Sequence, residues 1–69
     1  MSLSIRNQIP GTVTAVTTGE VMATVKVTLP GDQTITSSIT KEAAEDLALA
    51  PGDAVTVLVK STEVMIGKE

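Results

Sequence analysis

The chain contains no cysteine, no histidine and no aromatic residue among its 69 residues. Without cysteine and histidine it can form no disulfide, no zinc site of the usual kind and no catalytic nucleophile based on either residue. Without phenylalanine, tyrosine and tryptophan, its core must be built from smaller apolar side chains. Several classes of enzyme and of metal centre are therefore excluded at the outset.

Positive charge and long apolar runs are also scarce. Five Lys and Arg stand against eight Asp and Glu, for a net charge of −3 at pH 7, whereas a protein that holds nucleic acid through its field needs clustered basic residues. The missing aromatic residues argue against stacking on bases. There is no run of about 18 apolar residues and no basic segment followed by an apolar one at the N-terminus. We therefore expect no nucleic acid or membrane partner and a cytoplasmic location.

The small size of the chain predicts self-association. A single core in a domain of this length usually supplies only about 3–5 kcal/mol of stability. Hydrophobic residues nevertheless make up 42% of the sequence, and the mean hydropathy of +0.30 is high for so short a chain. Burial against further copies is the remaining way to remove more apolar surface from water.

Glycine and proline divide the sequence into short β-strands. Pro10-Gly11 is predicted to end the first strand, because proline donates no N–H and glycine frees the turn. Alternation of apolar and polar residues gives the strand bounds. The predicted strands are Ser2–Ile9, Thr12–Val16, Val21–Leu29, Thr34–Ile39 and Ala54–Lys60, with Val64–Ile66 as a brief last apolar run.

Two further features fix the predicted fold class. Pro30-Gly31-Asp32 is turn chemistry and predicts a hairpin between the third and fourth strands. Thr40 is expected to cap a short helix over Lys41–Leu47. The clearest apolar face is expected on the strand before the hairpin, at Val21, Ala23, Val25, Val27 and Leu29. Five or six strands with one short helix predict a mainly β protein, a small Greek-key barrel of the oligonucleotide/oligosaccharide-binding (OB) type, as one domain over residues 1–69.

The opening stretch carries the first candidate for chemistry. Arg6 is the only charged side chain before Glu20 and lies among short polar residues. An arginine with Ser4 nearby offers N–H and O–H donors and no acid to occupy them, which suits a small oxyanion. Ser4 and Arg6 also share one face of an extended chain. The alternative is a solvent-facing arginine on an edge strand.

Two other stretches are weaker candidates. Lys60-Ser61-Thr62 follows an apolar strand, so the lysine would emerge at a barrel rim or a subunit contact; alternatively, the tripeptide only ends the strand. In Thr36-Ser37-Ser38, adjacent hydroxyls point to opposite faces, and cross-strand packing is their default role. An acidic cluster is typical of a solvated face and lacks the spacing of a calcium loop; its members are Glu42, Glu45, Asp46 and Asp53.

Together, three motifs resemble one known family. Ser-x-Arg-Asn-Gln near the N-terminus, Ile-Thr-Ser in a central strand and Val-Lys-Ser-Thr-x-Val-Met-Ile near the end are similar to the molbindin, or Mop, domain. The resemblance covers nearly the whole chain. It implies an OB-type barrel that assembles as a hexamer, a trimer of dimers, and binds molybdate or tungstate between subunits, with no organic cofactor and no catalysis.

The resemblance also implies which residues hold the anion. One chain would supply Ser4, Arg6 and the Ile5 amide, where the family commonly has alanine in place of Ile5. A neighbouring chain would supply Lys60 and Ser61, with Thr36 or Ser37. Further oxyanion sites near the threefold axis would use the turn Thr18-Gly19-Glu20-Val21, where Glu20 would repel an anion unless its side chain turned away.

The candidate residues include no general base and no nucleophile–base pair, so binding and not catalysis is expected. The leading hypothesis is a protein that stores or buffers the oxyanion. The alternative is a small dimeric β-rich DNA-binding transcription regulator in which Arg6, Lys26 and Lys60 contact phosphates. The acidic total charge is its weakness.

Overall fold

A computed structural model describes residues 2–69 as one four-stranded antiparallel sheet with a short helix. The mainly β fold predicted from the sequence is confirmed. The sheet has the order β3-β2-β1-β4. Its elements are β1 (Asn7–Thr18), β2 (Met22–Thr28), β3 (Thr34–Thr40), α1 (Lys41–Asp46), β4 (Ala54–Val59) and a 3-10 turn (Ser61–Glu63).

The first strand runs through Pro10 and Gly11, so the prediction that these residues end it was wrong. Pro10 pairs with Thr56 of β4, while pairing with β2 begins only at Thr12. The side of β1 away from β4 is therefore open at Pro10. A residue without an N–H fits such an edge position, because it breaks no ladder hydrogen bond there.

β1 is shared between two partners along its length. Its first half, Asn7–Thr12, pairs with β4, and its second half, Thr12–Thr18, pairs with β2. The register with β2 shifts between Val13 and Ala15, which is a β-bulge. Bulges bend a strand and increase its twist. The sheet consequently curls, and the two edge strands β3 and β4 come to line one common cleft.

The hairpin of β2 and β3 and the helix cap are as predicted. Met22 pairs with Thr40 at one end of the hairpin and Thr28 with Thr34 at the other. The Thr40 side chain accepts a hydrogen bond of 3.0 Å from the backbone N–H of Ala43, which satisfies one free donor at the start of α1. α1 ends at Asp46.

A small aliphatic core lies on the concave side of the sheet. The buried residues are Val13, Ala23, Val25, Val27 and Ala44. The apolar face predicted for β2 is confirmed at its centre, but Val21 is 70% exposed because it precedes the strand in the β1–β2 turn. Beside the core, an apolar cleft of about 230 Å³ stays open between β3 and β4.

The count of strands is four in the part of the chain that the structure describes, and not five or six. The first two predicted strands are the single strand β1, and the run Val64–Ile66 has no strand partner in its own chain. Its side chains are exposed. No helix within residues 2–69 has the length and apolar character needed to span a membrane.

Gly11 is predicted to be a position where even one methyl group destabilises the fold. A Cβ atom built there would lie 2.5 Å from Cγ1 of the buried Val27 and 3.0 Å from the carbonyl oxygen of Thr28. Gly11→Ala must therefore displace a β-branched core side chain, and we expect a loss of about 1–3 kcal/mol in the free energy of unfolding. Urea titration at one fixed protein concentration measures it.

Gly19→Ala is the matched control for this substitution. A Cβ atom at Gly19 would meet only the carbonyl oxygen of Met22 at 3.4 Å, which is an ordinary contact. We expect a change of no more than about 0.5 kcal/mol for this variant. Equal urea midpoints for the two variants would contradict the proposed close approach of β1 and β2.

Candidate oxyanion-binding site

The opening stretch that contains Arg6 and the later stretch Lys60-Ser61-Thr62 adjoin the same end of the β1–β4 ladder. Asn7 of β1 is paired with Val59 of β4, and this is the last pair of the ladder at that end. The Asn7 side-chain amide also donates a hydrogen bond of 3.1 Å to the Val59 carbonyl oxygen. Arg6 and Lys60 each lie one residue beyond this pair. Each chain thus carries both cations at the same end of its sheet. That the Lys60 facing a given Arg6 comes from a neighbouring chain, as the motif resemblance implies, stays a prediction.

The opening stretch presents its polar side chains to solvent. Ser4 and Arg6 are exposed, whereas Ile5 between them is half-buried. The Ile5 carbonyl oxygen accepts a hydrogen bond of 2.7 Å from the Gln8 side-chain amide, which holds the segment against the start of β1. The isoleucine at this position therefore does not occupy the exposed side on which Ser4 and Arg6 lie.

A tight turn follows Lys60 and orients the second stretch. Lys60 immediately precedes the 3-10 turn Ser61–Glu63, and its carbonyl oxygen accepts a hydrogen bond of 2.9 Å from the Glu63 N–H. Lys60 and Ser61 are both exposed. The chain thus enters a 3-10 turn directly after the end of β4, where the lysine and the serine hydroxyl lie.

No acid within residues 2–69 neutralises the two cations. The ion pair found in this part of the chain joins Lys41 and Glu45 on α1, at 3.8 Å. No side-chain hydrogen bond of the described residues involves Ser4, Arg6, Lys60 or Ser61. Two like charges that share one end of a ladder repel each other, and a dianion would neutralise both.

Thr36 and Ser37 lie elsewhere in the same chain. Both belong to β3, the edge strand opposite β4 in the sheet order. Thr36 is exposed on the outer face, and Ser37 is half-buried on the inner face, where it lines the apolar cleft. Ser37 shares this cleft with Val57 and Leu58 of β4, whereas the Thr36 hydroxyl is bonded to Lys26; no hydrogen bond of the described residues joins either hydroxyl to Arg6 or Lys60.

Lys26 is a partner of Thr36 that the sequence analysis did not place in the anion site. Its ammonium group donates a hydrogen bond of 3.1 Å to the Thr36 hydroxyl oxygen, across the β2–β3 ladder. The register of the predicted hairpin was the signal that could have found this contact, because Lys26 and Thr36 are both outward positions of facing strands.

The turn predicted as a second anion site has acidic surroundings. Gly19 donates a backbone hydrogen bond of 2.7 Å to Met22, which closes the turn. Glu20 and Val21 line one surface pocket together with Lys41, Glu42 and Glu45 of α1. Three carboxylates and one ammonium group surround this pocket, so its field opposes an anion unless another copy adds positive charge.

The acidic cluster and the phosphate-binding alternative find little geometric support. Among the described residues no group of three or more Asp or Glu side chains is arranged to hold a metal ion.

The three cations of the DNA-binding alternative lie in two separate places on the sheet. Lys26 pairs with Ala15 in the second half of β1, while Arg6 and Lys60 flank the Asn7–Val59 end. They form no single basic surface.

Comparison with known proteins agrees with the motif resemblance. The model of the TOBE domain matches residues 3–66. Molybdenum-pterin-binding protein 3 of Clostridium pasteurianum is 44% identical over 66 residues, which cover 96% of this chain and 97% of that protein.

Solved structures show the same likeness in three dimensions. A molybdate-binding protein from Sporomusa ovata superposes with a TM-score of 0.93 at 38% identity, over 99% of this chain and all of that one. The cytoplasmic molybdate-binding protein ModG, solved with molybdate bound, gives a TM-score of 0.84 at 43% identity, over 88% of this chain and 43% of its own. From the sequence motifs, the four-stranded fold and these matches, it follows that the chain belongs to the molbindin (Mop) family of TOBE domains.

Proposed function

We propose that this protein binds molybdate or tungstate at the Asn7–Val59 end of its sheet, in sites that two subunits share. The observation that carries the proposal is the β1–β4 register, which places Arg6 and Lys60 each one residue beyond the Asn7–Val59 pair, while no salt bridge of the described residues involves either cation. Ser4 and Ser61 add hydroxyl donors, and the Ile5 N–H adds a backbone donor. Tetrahedral oxyanions accept hydrogen bonds from such donors at every oxygen. The Sporomusa ovata relative is itself a molybdate-binding protein.

A second subunit completes the site in this proposal. Thr36 and Ser37 lie on the other edge strand of the sheet, and in this proposal a neighbouring copy supplies one of their hydroxyls to the anion. The small core and the open cleft support association, because a lone chain leaves much apolar surface in water. We propose a hexamer built as a trimer of dimers, with a mass of 6 × 7.1 = 42.6 kDa.

The turn Thr18-Gly19-Glu20-Val21 is proposed as a second oxyanion site only within this assembly. Its acidic neighbours on α1 exclude tight anion binding by one chain. Copies around a threefold axis would have to bring backbone N–H groups or cations together there. The second site therefore depends more strongly on assembly than the first site does.

The biological role that fits these properties is storage or buffering of the oxyanion in the cytoplasm, without catalysis. The candidate groups of the first site are cations, hydroxyls and a backbone N–H, and none is a base placed to activate a nucleophile. The ModG relative is described as cytoplasmic, which supports the same location here.

Removal of the Arg6 guanidinium is predicted to weaken molybdate binding. Arg6→Ala deletes a charge-assisted contact, which is worth roughly 1.5–3 kcal/mol, or about one to two decades in Kd. Arg6→Lys should recover only part of the loss, since lysine lacks the planar donor fork. Isothermal titration calorimetry measures the change, after light scattering has shown that each variant keeps the mass of the parent protein.

Lys68→Ala is the control, because it removes one positive charge from an exposed residue that takes part in no ion pair of the described residues and in neither proposed site. Its molybdate affinity should equal that of the parent protein. If Arg6→Ala binds as tightly as Lys68→Ala while both remain assembled, Arg6 is not an anion ligand.

The absence of a carboxylate from the first site, which leaves few strong acceptors there, predicts an order of anion affinities. Phosphate keeps at least one proton near neutral pH, and a buried P–OH without an acceptor costs about 1–3 kcal/mol, whereas molybdate brings no such donor. Sulfate is unprotonated but smaller, so a donor shell fixed by strands would leave its hydrogen bonds too long. We expect tungstate to equal molybdate, sulfate to bind more weakly and phosphate most weakly. Competition calorimetry at fixed ionic strength measures the order, and displacement of molybdate by equimolar phosphate would show that an acceptor lines the site.

A further inference from the structure

Lys26 places a positive charge on the outer face of the sheet. It is exposed in β2, where it pairs with Ala15 of β1 on one side and with Thr36 of β3 on the other. Among the described residues no acid forms a salt bridge with it. Its ammonium group instead donates a hydrogen bond of 3.1 Å to the Thr36 hydroxyl oxygen. The lysine thus holds its charge beside one particular hydroxyl.

The direction of this hydrogen bond leaves the Thr36 proton available. An ammonium group has donors and no acceptor, so Oγ1 of Thr36 can only accept from it. No other side-chain hydrogen bond of the described residues involves the Thr36 hydroxyl or the Lys26 ammonium group. The Thr36 O–H and the remaining N–H groups of Lys26 are therefore free donors beside a positive charge, which is the chemistry that a tetrahedral oxyanion accepts.

Ser37, the adjacent hydroxyl, has surroundings of the opposite kind. It is half-buried and lines the apolar cleft together with Val57 and Leu58. No charged side chain of the described residues lines that cleft. An oxyanion drawn into it would lose water against aliphatic groups without a cation to compensate. The two environments therefore favour Thr36 as the hydroxyl that a neighbouring copy supplies.

The contact also limits how far the ammonium group can be from such an anion. An anion oxygen that accepts the Thr36 O–H lies about 2.7 Å from Oγ1. Since Oγ1 is 3.1 Å from Nζ of Lys26, that oxygen lies within about 6 Å of the ammonium nitrogen. Opposite charges at this separation attract each other appreciably at a protein surface. A copy that supplies Thr36 to an anion brings the charge of Lys26 with it.

We propose that Lys26 is a positioning residue of the oxyanion site, which acts by holding the Thr36 hydroxyl with its proton toward the anion. Its charge then joins those of Arg6 and Lys60 around the same dianion. This inference rests on the proposed function, because it takes the site shared by two subunits as given. It adds a residue to that site and names Thr36, and not Ser37, as the hydroxyl from the neighbouring copy.

Removal of the Lys26 charge tests the proposal. Lys26→Met keeps an unbranched side chain without charge or donor, and we expect its Kd for molybdate to rise about three- to tenfold. Lys26→Arg restores both properties and should bind within about twofold of the parent protein. Isothermal titration calorimetry at fixed ionic strength measures Kd, after light scattering has shown that each variant keeps the mass of the parent protein.

Lys68→Met is the matched control, because it makes the same change in net charge at an exposed residue outside both proposed sites. Its Kd should equal that of the parent protein. Equal Kd values for Lys26→Met and Lys68→Met would overturn the proposal. A loss in Lys26→Arg as large as that in Lys26→Met would also overturn it, since neither the charge nor the donors would then matter.

A double-mutant cycle shows whether Lys26 acts through Thr36. Thr36→Val removes the hydroxyl with little change of shape and should weaken binding more than Ser37→Ala does. The double variant Lys26→Met, Thr36→Val should lose less affinity than the product of the two single losses, because both changes break one contact. Strictly multiplicative losses, or a larger loss in Ser37→Ala than in Thr36→Val, would overturn the proposal.

The Arg6→Ala variant keeps this inference separate from the proposed function. If Arg6→Ala weakens molybdate binding while Lys26→Met binds like Lys68→Met, the shared site stands and the role of Lys26 is refuted. If the parent protein does not bind molybdate, both proposals fail.

Discussion

The pairing of β1 with two different neighbours is the constraint on which the rest of the structure depends. Its first half must reach β4 and its second half β2, and the bulge between Val13 and Ala15 lets one strand do both. The same bend requires Gly11, where the backbone of β1 passes too close to Val27 for a Cβ atom. Because the ladder with β4 ends at Asn7 and Val59, Arg6 and Lys60 emerge together. Backbone pairing alone thus places both cations of the proposed anion site at one end of the sheet.

The missing aromatic residues explain why the hydrophobic core of one chain is small. Five small aliphatic residues are fully buried, and the cleft next to them stays open along the edges β3 and β4. Larger side chains could have filled that space within one chain. With valine, leucine and isoleucine only, apolar surface remains exposed on a single chain, which supports the proposed association of copies.

Much of this architecture could be predicted from local sequence patterns. Alternation in β2, the turn at Pro30-Gly31-Asp32 and the Thr40 cap each gave the correct element, since period and cap chemistry are local properties. The prediction failed at Pro10-Gly11, where the open side of β1 tolerates a proline, a fact of sheet topology that no local pattern records. Proximity of Arg6 and Lys60 is likewise a matter of register between distant strands. The motif resemblance supplied the family, and it supplied the residues of the anion site as a prediction that stays untested.

The central claim is that an oxyanion lies between two chains at the Asn7–Val59 end. Anomalous X-ray diffraction from crystals grown with tungstate tests it most directly, because tungsten gives an unambiguous peak. The account predicts peaks within hydrogen-bonding distance of Arg6 and Lys60, with at least one donor contributed by a second chain. A tungsten peak remote from Arg6, or one whose donors all come from a single chain, would contradict it.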